Sequence, residues 1–266
     1  MPASASGEQG ASYLARLSAL VSPTAQLVRP ASDPHAGDAG RKLLLQASVL
    51  MAVGAVAVVL LMFAVDVPEI KLMPPRGTPG LWPVRILTDF GKEAFVLWFI
   101  AALLIVVALV APGVREGWRP RLFRLATELQ YLFLAVLVPI LASELIKWIV
   151  GRGRPFVGGQ ANAFNFSHFA GSEAYASFPS AHAVTSAALA FAVAALWPRL
   201  RIPVIVYCLL IIATRLVLLA HHPSDVVAGA VFGVVGAMAV RTWFAGRSLL
   251  FAIGHDGAIL RSVGPA

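Results

Sequence analysis

Charge is scarce in this chain: Asp, Glu, Lys and Arg make up 13% of its 266 residues, about half the roughly 25% of a soluble domain. That deficit argues against a water-soluble fold. Cysteine is nearly absent. Cys208 stands alone, which excludes an internal disulfide, and its place inside an apolar run reads as a small membrane-buried residue. Acidic residues number 13 against 21 basic ones, for a formal charge of +8. No basic block with interleaved aromatics occurs, so the excess is not the footprint of a nucleic-acid partner; orientation in a membrane accounts for it better. The absence of internal repeats weighs against an inverted-repeat transporter. The first apolar run is too long for a secretory signal, and no convincing small-residue cleavage site follows it.

Apolar sequence is what the chain has in abundance, 59% of its residues. Runs near twenty residues recur, the length a helix needs to cross a hydrocarbon core of about 30 Å. They predict spans at roughly 43–65, 94–112, 127–149, 181–197, 202–220 and 224–245, with Pro and Gly punctuating the gaps. The expected fold class is all-α, a polytopic membrane protein of six transmembrane helices. Residues 1–40, rich in Ala, Ser, Gly and Pro, read as a flexible tail with one short amphipathic helix at 12–28. Residues 41–248 form the six-helix domain in this reading, and 249–266 a C-terminal tail. With the N-terminus in the cytosol, thirteen of the 21 Lys and Arg fall on cytosolic segments and eight on outer ones. Both termini are therefore expected in the cytosol.

This topology brings three unusual segments to one face. Lys147 to Pro155 ends the third span, Pro179-Ser180-Ala181-His182 opens the fourth, and Arg215 to Asp225 joins the fifth to the sixth. On the predicted span, Arg215 is expected about six residues, or roughly 9 Å, below its helix end. Facing lipid near mid-bilayer it would cost about 2.5–3.5 kcal/mol, so it needs a polar partner or a wet cavity unless it snorkels to head groups. Lys147 and Arg154 each suit an interfacial anchor. Together with Arg215 they suit a dianion, the arginines as forks and the lysine as a point charge, with no metal needed for neutralisation. Ser180 reads as an N-cap, but a helix N-terminus also binds anions. His182, in that first turn, is placed to protonate a leaving ester oxygen. Asp225 either caps the sixth helix or fixes the tautomer of a nearby histidine and makes its other nitrogen nucleophilic. On the residues alone, His221 and His222 compete for that role.

Taken together, the segments resemble the signature of the type 2 phosphatidic acid phosphatase superfamily, which includes vanadium haloperoxidases. That signature reads Lys-x6-Arg-Pro, then Pro-Ser-Gly-His, then Ser-Arg-x5-His-x3-Asp. Lys147 and Arg154-Pro155 match the first part. Pro179, Ser180 and His182 match the second, with Ala181 where the family prefers Gly. Arg215, His221 and Asp225 match the third, with Thr214 in place of Ser. Three motifs in order with correct spacings are far more specific than any one. The resemblance implies a six-helix membrane phosphatase without cofactor or metal. In it His221 attacks phosphorus to form a phosphohistidine, Asp225 orients His221, and His182 protonates the leaving group. Lys147, Arg154, Ser180, Arg215 and the backbone N–H of Ala181 would bind phosphate oxygens. The spacing selects His221 over His222.

Two further regions read as tuning substrate choice. The loop 156–178 carries Phe156, Phe164, Phe166, Phe169, Tyr175 and Phe178, an interfacial aromatic belt or a gate. In the outer segment 66–93, Asp89 reads as an ordinary helix start. The expected function is hydrolysis of lipid phosphate monoesters or prenyl and lipid diphosphates at the non-cytoplasmic face of the cell (inner) membrane. Phosphatidate, phosphatidylglycerol phosphate, undecaprenyl diphosphate and lipid A are candidate substrates. The alternatives are a phosphatase for a soluble ester and a non-enzymatic anion transporter. The transporter accounts for the arginines but not for the histidine–aspartate spacing.

Overall fold

The computed structural model describes residues 27–262, so the amphipathic helix expected at 12–28 lies almost wholly outside the described residues. Helices dominate: α1 (Ala36–Ala64), α2 (Asp66–Leu72), α3 (Trp82–Asp89), α4 (Glu93–Val110), α5 (Arg119–Val150), α6 (Ala181–Leu196), α7 (Arg201–Val217) and α8 (Pro223–Ala245). A small antiparallel hairpin follows, β1 (Phe251–Ile253) against β2 (Ile259–Arg261), with Ala252 opposite Leu260.

Every predicted span falls on a helix. Among the described residues, the helices containing α1, α4, α5, α7 and α8 are long and apolar enough to cross a membrane. The fourth predicted span is α6, only 16 residues and so about 24 Å long. Hydropathy locates apolar runs, not helix ends. It therefore misses the polar opening turns of α1, which begins at Ala36 inside the segment read as tail, and of α5, which begins at Arg119. It also misses α2 and α3, short helices within the segment read as an outer connection. Asp89 closes α3 instead of starting a helix, and its carboxylate pairs with Lys92 at 2.7 Å. The expected C-terminal tail carries the hairpin, whose three-residue strands are too short to leave a legible alternation.

The described chain forms two compact units. One comprises 27–42, 98–133 and 241–262. Its centre is Tyr131, fully buried, with the rings of Phe244 and Phe251 edge-on at 5.3 and 5.1 Å. Arg124 and Arg261 each approach the Glu128 carboxylate at 3.2 Å.

The other unit comprises 43–97 and 134–240 and holds every predicted site residue. Ten of the sixteen α6 residues are buried, and eight are alanine, so neighbouring backbones can come close. The closest approach is to α8. A Cβ on Gly229 would stand 2.5 Å from the Ser180 carbonyl oxygen, and one on Gly233 would stand 2.4 Å from that of Val184. One turn further, a Cβ on Gly236 would meet Pro139 of α5 at 2.5 Å. These contacts fix the height of Ser180 and His182 against Asp225. Gly233→Val is expected to lower stability by about 1–3 kcal/mol through overpacking, read as an earlier midpoint in detergent-phase denaturation. Gly80→Ala, where an added methyl meets nothing within 4 Å, is expected to stay within about 0.5 kcal/mol.

Candidate active site

The turn after α5 sets the site. Gly151 has φ +55°, and a Cβ there would lie 1.8 Å from the Ser167 carbonyl oxygen, so only glycine fits. The chain then runs beside the aromatic loop, with Gly153 N–H donating to Asn165 O (2.8 Å) and Ser177 N–H to Arg152 O (3.0 Å). This path drives Arg152 inward until its side chain is 1% exposed.

Arg152 is the hub of a buried polar network. Its Nη1 donates to Asp225 Oδ1 and Ser224 Oγ, both at 2.6 Å. Its Nη2 donates to Asp66 Oδ2 (2.8 Å) and, with Nε, to Ala163 O (2.7 and 3.1 Å). Asp66, the first residue of α2, also accepts from Ser224 N–H at 3.0 Å and Ser224 Oγ at 2.5 Å. It thereby satisfies a free N–H in the first turn of α8. Asp225 accepts from Ser177 Oγ (2.6 Å) and from His222 N–H (2.9 Å), the back-reaching half of a capping box. The capping role and the site role thus coexist in one carboxylate. Its Oδ2 stands 3.0 Å from His222 Nδ1 and 3.9 Å from His221 Nδ1.

His221 is held by Ser177 instead: His221 Nδ1 lies 2.8 Å from the Ser177 carbonyl oxygen, an acceptor that requires Nδ1 to carry the proton. The unprotonated Nε2 is therefore the available lone pair. Burial pushes the His221 imidazole well below the ordinary histidine range, against the pull of Asp225 and with help from Arg215 and Arg154. The ring is neutral at neutral pH. Ser177 joins the two parts of the site, its hydroxyl on Asp225 and its carbonyl on His221.

The remaining predicted residues gather around the same point. Ser180 N–H donates to Asp225 O at 3.1 Å. Ser180 takes the N-cap position of α6, yet its hydroxyl caps nothing: Ser180 Oγ is a buried polar atom without a partner, as are His182 Nε2 and Arg215 Nε. Arg215 Nη1 donates to Thr88 Oγ1 at 2.7 Å, and Thr214 Oγ1 lies 2.9 Å from the same oxygen. Gly91 packs beside His182, where a Cβ would meet His182 Cδ2 at 3.4 Å and Ile211 Cγ2 at 2.3 Å. Arg154 and Arg215 act electrostatically on both His182 and His221; Lys147 and Lys92 act on His182. Lys147 pairs with Glu144, and Arg154 grips Glu173 through Nη2–Oε2 at 2.9 Å. Glu173 is 92% exposed and free to leave. The result is a cluster of cations and unpartnered buried polar atoms within electrostatic reach of two imidazoles.

Sequence reading missed Arg152, Asp66, Ser177, Ser224 and Thr88. Asp66 and Thr88 lie far away in the chain, and Arg152 reads as one of several outer cations. Only for Arg152 is there a signal, its place between Gly151 and Gly153.

The model of the PAP2 superfamily matches residues 128–248. The lipid A 1-phosphatase of Rhizobium johnstonii is 31% identical over 214 residues, 80% of this chain and 86% of that protein. That of Rhizobium etli is 32% identical, over 80% of this chain and 90% of its own length. No solved structure matches. Arg152→Met would leave two buried carboxylates uncompensated. It is expected to cost about 3–5 kcal/mol, seen as a loss of folded protein in detergent, with Arg152→Lys a poor substitute because it lacks the fork.

Proposed function

The chain belongs to the PAP2 superfamily and is a multi-pass membrane lipid phosphatase, and from that premise we propose that it removes the 1-phosphate of lipid A through a phosphohistidine on His221. The observation that carries this reading is that three of the residues assigned to the phosphate hold buried side-chain atoms without a partner among the described residues: Ser180 Oγ, His182 Nε2 and Arg215 Nε. Buried polar atoms normally have partners, and a bound phosphate ester supplies one to each.

In the proposed reaction the His221 Nε2 lone pair forms a bond to phosphorus as the bond from phosphorus to the ester oxygen breaks. His182 gives its proton to that oxygen. Water then attacks phosphorus as the phosphorus–nitrogen bond breaks and its electron pair returns to His221 Nε2; His182 takes the water proton, and inorganic phosphate leaves. Arg154, Arg215, Lys147, Ser180 and the Ala181 N–H bind the equatorial oxygens, where charge is spread in the transition state. Asp225 acts on His221 through Ser177 and its own charge, since its short bonds go to Arg152, Ser177 and His222.

The substrate assignment is supported by the two relatives, whose names both specify lipid A. Six spans, with α6 as the short one, are supported by the five long apolar helices and the shorter Ala181–Leu196, and cytosolic termini with a periplasmic site by the Lys and Arg asymmetry; the membrane of this reading is the inner one.

Phosphate release from lipid A is expected to survive EDTA and to be blocked by vanadate; strict dependence on added magnesium contradicts the mechanism. His221→Asn should abolish turnover. His222→Asn, which keeps a side-chain donor for Asp225, should retain most of it. The opposite pattern means that the other imidazole attacks. Because the nucleophile must be neutral and burial depresses its pKa, the acid limb of kcat/KM is expected well below pH 6.5 in a pH–rate profile.

A further inference from the structure

Beside the cations assigned to the cleaved phosphate lies a cavity of about 310 Å³ whose lining includes Arg76, Arg85, Arg154 and Arg215. Arg154 and Arg215 are already accounted for. Arg76, in the connection after α2, and Arg85, in α3, belong to no motif and are counted on sequence as ordinary outer cations. Both are exposed. Neither side chain makes a hydrogen bond or ion pair with another described residue. The other lining residues are Gly77, Leu81, Leu218 and Ala220, so no carboxylate lines the cavity; Glu173 pairs with Arg154, and Glu93 and Asp89 act on Arg215, from outside the lining. Four guanidinium groups around one hollow repel one another unless an anion joins them. One phosphate dianion is matched by Lys147, Arg154 and Arg215. Two more arginines with no acidic partner fit a second anionic group.

We propose that Arg76 and Arg85 form a second anion subsite, which holds a phosphate of the substrate other than the one being cleaved. This rests on the phosphatase reading above and adds a substrate feature to it. The second phosphate has two sources: the neighbouring phosphate of a diphosphate head group, or a separate phosphate on the same lipid. Guanidinium forks suit either, because they grip phosphate oxygens in pairs.

Binding of inorganic pyrophosphate and of orthophosphate to the full-length protein in detergent, followed by calorimetry, tests the subsite without turnover. Pyrophosphate is expected to bind the wild type more tightly. Arg76→Gln/Arg85→Gln should weaken pyrophosphate about tenfold, equal to about 1.4 kcal/mol, and leave orthophosphate within about twofold. Equal affinities for the two anions in the wild type, or equal losses in the variant, overturn the proposal. Turnover then separates the sources. A kcat/KM loss confined to a prenyl diphosphate identifies the neighbouring phosphate, and a loss confined to bis-phosphorylated lipid A identifies the separate one; phosphatidate, with one phosphate, should be unaffected in both cases. A loss of the same size on phosphatidate refutes the subsite. Wild-type protein that discriminates pyrophosphate yet releases phosphate from none of these lipids overturns the phosphatase reading while the subsite stands.

Discussion

The guanidinium of Arg152, buried between the carboxylates of Asp66 and Asp225, is the interaction on which the rest of the site depends. Two carboxylates and one guanidinium leave an excess negative charge away from water, a state that needs every available donor. The serine hydroxyls of 177 and 224 and the backbone N–H groups of His222 and Ser224 supply them. Each bond ties a different part of the chain: the start of α2, the turn after α5, the entry to α6 and the start of α8. The network therefore fixes geometry as well as charge. Removing one member leaves the others buried and unpaired, which is why polar networks of this kind hold a unique arrangement.

The basic residues divide by what surrounds them. Arg152 has all its donors engaged and is closed to a ligand. Arg154 and Lys147 pair with the acidic side chains of Glu173 and Glu144, both more exposed than their partners. Exposed ion pairs are worth about 0–1 kcal/mol. A phosphate held by several cations at once gains up to about 4 kcal/mol per contact at an effective dielectric near 20, before desolvation. In the proposed function a phosphate dianion shared by several cations takes the place of the two glutamates. Ser177 gives the site its other asymmetry. Its carbonyl accepts a hydrogen bond from the His221 Nδ1–H and so leaves Nε2 free, while its hydroxyl donates to Asp225.

Small residues set the distances. The alanines of α6 and the glycines of α8 let two backbones approach until carbonyl oxygens of one helix contact the Cα atoms of the other. A short, largely buried helix then carries Ser180 and His182 to the level of Asp225. Long, lipid-suited helices with wide exposed apolar faces, α1 above all, need not supply the chemistry.

The chain by itself determined the helical class and the position of each apolar run, because apolar length is a local property of sequence, and short-range spacing supplied the residues proposed to bind phosphate. The proposal of His221 over His222 came from the resemblance to the superfamily signature, whose Arg-x5-His-x3-Asp spacing falls on Arg215, His221 and Asp225. Local pattern is silent on α2, α3 and the hairpin, which are too short to show a period, and on Asp66, Thr88 and Ser177, whose partners lie on other elements. The sequence suggested that Asp225 orients His221 directly. Folding instead gave its closest bonds to Arg152, Ser177 and His222 and left the His221 Nδ1 to a backbone carbonyl. Such choices follow from how closely backbones approach at Gly151, Gly229 and Gly233, a quantity that exists only once the helices have packed.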